Sequence, residues 1–305
     1  MSFPDVGRWV SGPVTVEVPA TSANLGPGFD CLGLALDLHD TLTGEAADVD
    51  VLVEIEGEGA DSLPRDETHL VVRAMSAAFA TAGVQPPGLR LRCRNVIPQA
   101  RGLGSSSAAI VGGLALARAM LHDGAVLLPD TVLLALATGL EGHPDNVAPA
   151  LFGGFVVSGQ DDEDVWADQA PISPEISAVA FVPPDGLSTE AARGLLPAEI
   201  PYAAAAANTG RAALLVAALG HAPQRLLRAT EDFLHQQYRA PAMPDSLALV
   251  RALRADGHAA VVSGAGPTVL VLTVDGPGPL LGRCPERWTA YPLGVDHAGV
   301  RTVTS

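Results

Sequence analysis

Gly102-Leu103-Gly104-Ser105-Ser106-Ser107-Ala108 stands at the head of an Ala/Leu-rich segment, and its chemistry is that of an anion cradle. Glycines let backbone come close to a ligand, and the free N–H groups of a first helical turn attract negative charge. The hydroxyls of Ser105, Ser106 and Ser107 add hydrogen bonds or bind Mg2+, and such a cradle works without a lysine. Taken alone, the same residues equally describe a capped helix after a flexible loop. A second cluster, residues 19–30, follows a strand pattern and gathers the hydroxyls of Thr21 and Ser22, the Asn24 amide and the Asp30 carboxylate. In a third, Glu141-Gly142-His143-Pro144-Asp145-Asn146 compresses four polar side chains between a helical and an apolar segment. The fourth, Ser263-Gly264-Ala265-Gly266-Pro267-Thr268, joins two strand patterns, as a place of close backbone approach or as a plain hairpin loop.

These clusters need elements to hold them. Residues 14–20 and 49–56 read as strands, the second with Val49, Val51, Val53 and Ile55 on one face. Residues 68–82 carry the helical stripe Leu70, Val71, Ala74, Met75, Ala78 and Phe79, and Leu89, Leu91 and Cys93 alternate with Arg90, Arg92 and Arg94 as in a half-buried strand with a wet face. A helix begins near Ser105 and another follows Pro129, ending near Glu141. Residues 152–158 read as a strand and the acidic stretch 160–168 as a surface turn. Beyond it come a strand at 177–182, helices near 204–220, 223–236 and 245–256, and strands at 259–263 and 268–274. Strands mixed with helices in both halves predict two α+β domains, 1–165 and 166–305.

Composition excludes several functions. Among 305 residues, all 18 basic side chains are Arg. A Walker-type phosphate loop, a protein kinase and a Schiff-base enzyme each need a lysine. A net charge of −16 opposes a nucleic-acid partner, and no basic stripe is visible. Cys31, Cys93 and Cys284 are widely spaced, without a metal-finger pattern, as in reduced thiols of a cytoplasmic protein. The N-terminus lacks a secretory pattern and no run of 18 apolar residues occurs, so no membrane partner is expected.

Together the four clusters resemble the GHMP kinase superfamily, and most closely its branch acting on L-homoserine. The resemblance lies in VPATSANLGPGFDCLGLAL, IPQARGLGSSSAAIVGGL, EGHPDNVAPALFGGF and SGAGPTVLVL, in that order, with a fifth stretch, FLHQQYRAP, in which Gln237 replaces the usual Pro. It covers residues from about 14 to 274. It implies an N-terminal domain like ribosomal protein S5 domain 2, a ferredoxin-like C-terminal domain and a cleft between them. There the γ-phosphoryl of MgATP would pass to the L-homoserine hydroxyl, on the route to threonine. By resemblance Pro98, Gln99, Ala100, Arg101, Gly102, Leu103, Gly104, Ser105, Ser106, Ser107 and Ala108 carry ATP, and Ser106 with Glu141 holds Mg2+. A zwitterionic acceptor needs a cation and an anion, so Arg239, helped by Arg211, is expected on its carboxylate and Asp30 on its ammonium. Asn24 and His143 would hydrogen-bond it, Asp145 and Asn146 act as positioning groups, and Thr268 shapes the site beside the phosphates. The family also implies a homodimer.

Overall fold

In the computed structural model, residues 8–162 and 164–303 are described; the reading of the N-terminus falls partly on residues 1–7, outside them. One sheet contains β1 (Val14–Asn24), β2 (Gly28–Ala46), β3 (Leu52–Gly57), β4 (Leu89–Asn95), β5 (Phe155–Asp161), β6 (Asp164–Ala170) and β11 (Arg301–Val303). Strands β11, β1, β2, β4 and β3 lie side by side. Register shifts against β1 bend β2, so that Leu32–Leu34 pair with β5 whereas Thr41–Ala46 pair with β4. This 19-residue strand was not expected, because Asp37, His39 and Asp40 interrupt its apolar alternation. The interruptions have tertiary partners: Asp40 accepts backbone N–H bonds and His39 meets Asp296.

Strands β3 and β4 run parallel, linked through α1 (Leu70–Thr81), which buries the expected stripe except half-buried Leu70. Helix α2 (Ser105–Ala119) is buried nearly all round, as its unbroken Ala/Leu/Val run requires. A short α3 (Gly124–Leu127) precedes α4 (Asp130–Glu141) and α5 (Pro144–Phe152). Residue 152, expected to open a strand, instead closes α5, whose first turn carries Pro144 and Asp145 and whose end is Gly153. The acidic stretch, expected as a surface turn, is largely strand instead: Gln160 and Asp161 end β5, residues 164–168 open β6 with Val165 and Ala167 half-buried, and the Trp166 indole donates to Asp161.

The second sheet, β7 (Ser177–Val182), β8 (Ala259–Val262), β9 (Val269–Thr273) and β10 (Thr289–Leu293), is antiparallel in the order β10-β7-β9-β8. That is the ferredoxin-like order, as the resemblance implied. Its helical elements are α6 (Thr189–Arg193), α7 (Tyr202–Gly220), α8 (Leu226–Ala229), α9 (Pro244–Ala255) and α10 (Gly278–Leu281). The helix expected across 223–236 stops at Ala229, since the Asp232 carboxylate takes the N–H groups of Leu234, His235 and Gln236 and holds a loop instead. Helix α7 has the length and apolarity of a membrane span. Its Leu215, Ala218 and Leu219 nevertheless join the core, and Asn208 at its middle donates to the Pro27 carbonyl.

Alternation in the second sheet divides two cores. Ala178, Ala180, Val261, Leu270 and Leu272 join a core continuous with the first sheet, while Val179, Phe181, Val262 and Val271 pack with Leu247, Val250 and Leu253 of α9. The line expected between residues 165 and 166 passes through β6, and residues 294–303 return to the first sheet through β11 and the Asp296–Ala35 backbone bond. We propose a division between 170 and 171, with 294–303 counted in the first unit.

Candidate active site

A cleft of about 480 Å3 runs along the C-terminal end of β1 and the start of α2. Its floor is the glycine loop. Gly104 takes a left-handed conformation (φ 69°) immediately before α2, and a Cβ there would lie 2.0 Å from Thr21 Oγ1. Only glycine satisfies both demands. The loop is fastened from three sides: Thr21 N–H donates to the Leu103 carbonyl (3.1 Å), and the Thr21 hydroxyl donates to Asn146 Oδ1 (2.8 Å). From the second sheet, Ser263 Oγ donates to the Gly102 carbonyl (2.6 Å) and pairs with the Ser22 hydroxyl (2.8 Å). The free N–H groups of the α2 first turn therefore face a cleft of fixed shape.

Beside this turn stands an all-oxygen cluster. Ser106 Oγ lies 2.7 and 3.0 Å from the two Glu141 oxygens and Ser107 Oγ 2.8 Å from one of them. Glu141 ends α4, so the expected Ser106–Glu141 pair is brought together across 35 residues. Hard oxygen donors of this kind suit Mg2+.

The opposite end of the cleft is built from charge. Arg239 is 1% exposed; its Nη1 donates to the Gly264 carbonyl and to His235 Nδ1, both at 3.0 Å, and its Nε has no partner among the described residues. His235 Nε2 lies 2.8 Å from the Gly26 carbonyl, which makes it the donor and leaves Nδ1 to accept. Burial first, and Arg193 second, lower the Arg239 pKa. Asp30, in left-handed backbone (φ 57°), forms a two-pronged pair with Arg193 at 2.6 and 3.0 Å, and both arginines lie over the Phe29 ring. Asn24 (φ 68°) donates to Gly264 O and accepts from Asp30 N–H, so it braces this corner. Nearby, His143 Nδ1 approaches Asp145 Oδ1 to 2.5 Å. Burial opposes charge on this imidazole, yet the Asp145 carboxylate, aided by Glu141, raises its pKa overall.

Asn24, Asp145, Asn146, His143, Glu141 and Arg239 line one cleft, as expected. Arg211 does not: it faces Glu231 (2.6 Å) and Phe233 from α7, because its helix face turns toward the 230s loop. Thr268 is fully buried under the loop, its hydroxyl unpaired among the described residues. Sequence reasoning missed Arg193, whose only local signal is the Ser188 cap of its five-residue helix. It also missed two residues at the apolar end of the cleft. His69, 3% exposed, has both ring nitrogens unpartnered among the described residues, and burial lowers its pKa. Asp40 accepts from Val96 and Ile97 N–H at 2.6 and 2.9 Å, but burial pushes its pKa up to about 6. Cys31, beside Asp145 and Asp30, is pushed by burial to about 11 and stays a thiol.

An anion cradle and a paired-charge pocket in one cleft, on an α+β fold with this second sheet, define a small-molecule kinase of the GHMP type. The model of the GHMP kinases N terminal domain matches residues 69–154. Homoserine kinases of Streptomyces avermitilis and Clavibacter michiganensis are 54% and 49% identical, with 94% of this chain aligned to 94% and 92% of theirs. The crystal structure of homoserine kinase from Cytophaga hutchinsonii is 25% identical and superposes with a TM-score of 0.81 over 99% of this chain and 100% of that one. The chain belongs to the homoserine kinase family of the GHMP kinases. Mevalonate diphosphate decarboxylase from Staphylococcus aureus, 15% identical over 96% of this chain and 98% of that one with a TM-score of 0.69, shares the fold.

Proposed function

We infer that the chain transfers the γ-phosphoryl group of ATP to the side-chain hydroxyl of L-homoserine, giving O-phospho-L-homoserine and ADP. The observation that carries this reading is the meeting, at one cleft, of the glycine-loop cradle with two arginines, Arg193 and Arg239, the first of which is paired with Asp30. Phosphoryl transfer to an alcohol depends chiefly on positioning and charge stabilisation. One bond forms between the acceptor oxygen and the γ-phosphorus as the bond to the bridging oxygen of ADP breaks, and the hydroxyl proton is released by way of the transferred phosphoryl oxygens to solvent.

In this reading the α2 first turn receives the phosphates, and the apolar end receives the base, where His69 offers one donor and one acceptor to a purine edge. Ser106 and Glu141 would hold Mg2+, which when bound neutralises charge on the β- and γ-phosphates. Arg239 takes the acceptor carboxylate with its unpartnered Nε, and Arg193 adds a second cation. Asp30 takes the ammonium, exchanging part of its pairing with Arg193. Asp145 and Asn146 act as positioning groups, since each is already bonded, to His143 and Thr21. A cytoplasmic homodimer completes the reading, on the strength of the family resemblance.

The test is ADP release with MgATP against L-homoserine, L-serine, L-threonine, mevalonate and galactose, with product masses. Turnover on L-homoserine, with a product heavier by one phosphoryl group, is expected. Silence on L-homoserine with turnover of another alcohol would overturn the acceptor assignment.

A further inference from the structure

Arg101 sits in the glycine-loop motif, yet its guanidinium does not point free into the cleft. Nε donates to the Pro183 carbonyl (3.2 Å), Nη1 to the Gln99 carbonyl (2.5 Å) and Nη2 to the Pro184 carbonyl. Two of these acceptors belong to the segment that leaves β7 and roofs the cleft. Pro183 and Pro184 have no N–H, so this segment cannot continue the ladder of β7, and its carbonyls need other donors. A second bond closes the same seam: Leu187 N–H donates to the Ala100 carbonyl (2.9 Å). The fit is tight, because a Cβ on Gly186 would stand 3.0 Å from Ala100 O and 3.2 Å from Arg101 Nη1. Ala100 itself holds a left-handed conformation (φ 53°), which is unfavourable for a residue with a Cβ. Ala100 and Arg101 immediately precede the glycine loop, and at the far end of the roof segment Arg193 pairs with Asp30.

We propose that Arg101 is a positioning residue that latches the roof segment 183–193 to the glycine loop, so that nucleotide in the loop sets the affinity for acceptor at Arg193 and Asp30. This rests on the reading of the cleft as a site for ATP and an amino-alcohol acceptor. A guanidinium presents five donors in a rigid planar fork and here reaches three carbonyls of two segments, a spread that the compact ammonium of a lysine does not match. Loop and roof therefore move as one body, and linkage makes the effect reciprocal: acceptor at the roof tightens nucleotide by the same factor.

The experiment uses the full chain as wild type, Arg101→Ala, Arg101→Lys and Gly186→Ala. Homoserine binding is measured with and without a non-hydrolysable ATP analogue, beside analogue binding without homoserine, the homoserine KM and hydrogen exchange of residues 185–193. In wild type the analogue is expected to tighten homoserine about tenfold and to slow exchange of the roof. In Arg101→Ala that factor falls toward one and the homoserine KM rises about tenfold, while analogue affinity measured without homoserine stays within about threefold of wild type. Arg101→Lys does not restore the factor, and Gly186→Ala, which disturbs the seam from the other side, reproduces the loss if Arg101→Ala does not fold. Analogue affinity without homoserine that falls as much as the homoserine KM rises would make Arg101 a phosphate ligand and overturn the latch. Unchanged coupling and exchange in Arg101→Ala would overturn it too. If wild type fails to phosphorylate homoserine, the functional reading falls, while nucleotide-dependent exchange at 185–193, lost in Arg101→Ala and Gly186→Ala, still decides the latch.

Discussion

Ser106 is exposed and bonded only to Glu141, so its replacement separates a metal role from a structural one. Ser106→Ala is expected to raise the Mg2+ concentration for half-maximal turnover about tenfold or more, while stability changes by less than about 0.5 kcal/mol. A Mg2+ titration and a thermal melt check this; a wild-type Mg2+ dependence contradicts it. The Ser106–Glu141 pair was legible because both residues stand in ordered motifs. Arg193 and His69 were not. One meets its partner Asp30 across 163 residues and the other is marked only by burial with unpaired nitrogens, a property no spacing encodes. Arg211 shows the opposite error: an arginine at the right distance along the chain sits on the wrong face of α7, where Glu231 neutralises it.

The elements of regular period were readable, and those ruled by tertiary partners were not. Helix α1 and strand β4 announce themselves by stripe and alternation. Strand β2 hides behind Asp37, His39 and Asp40, whose partners come from distant segments. One such partner, Asp296, fastens the C-terminal return. Its Oδ1 accepts from Ala298 and Gly299 N–H, while Oδ2 meets His39 Nε2 (2.6 Å) and Arg301 Nη1 (2.9 Å). Burial opposes its charge, but the bonds to His39, Gly299, Ala298 and Arg301 win and hold its pKa at about 2, below the ordinary 3.8. A depressed acid stabilises the fold above its unfolded pKa and loses that contribution as pH falls through the folded one. Asp296→Asn is therefore expected to lose about 1–3 kcal/mol at pH 7. The gap to wild type should shrink between about pH 4 and pH 2. Urea unfolding across that range measures it, and a gap independent of pH contradicts the assignment.

For the whole molecule, the first core passes without interruption from one sheet to the other, so the glycine loop before α2 and the turn between β8 and β9 are bonded to each other at the edge of a supported cleft. A chain of net charge −16 must then concentrate its cations where anions bind, and Arg193 and Arg239 do so above Phe29. The account's central claim is that this pocket recognises both charges of an amino-alcohol acceptor. The measurement that tests it most directly is kcat/KM with MgATP for L-homoserine, 4-hydroxybutyrate, which lacks the ammonium, and 3-amino-1-propanol, which lacks the carboxylate. Each analogue is expected to fall at least about 100-fold below L-homoserine, because a buried charge is left unpaired, and Arg239→Ala should erase the advantage over 3-amino-1-propanol. Equal turnover of all three by the wild-type enzyme would contradict the account.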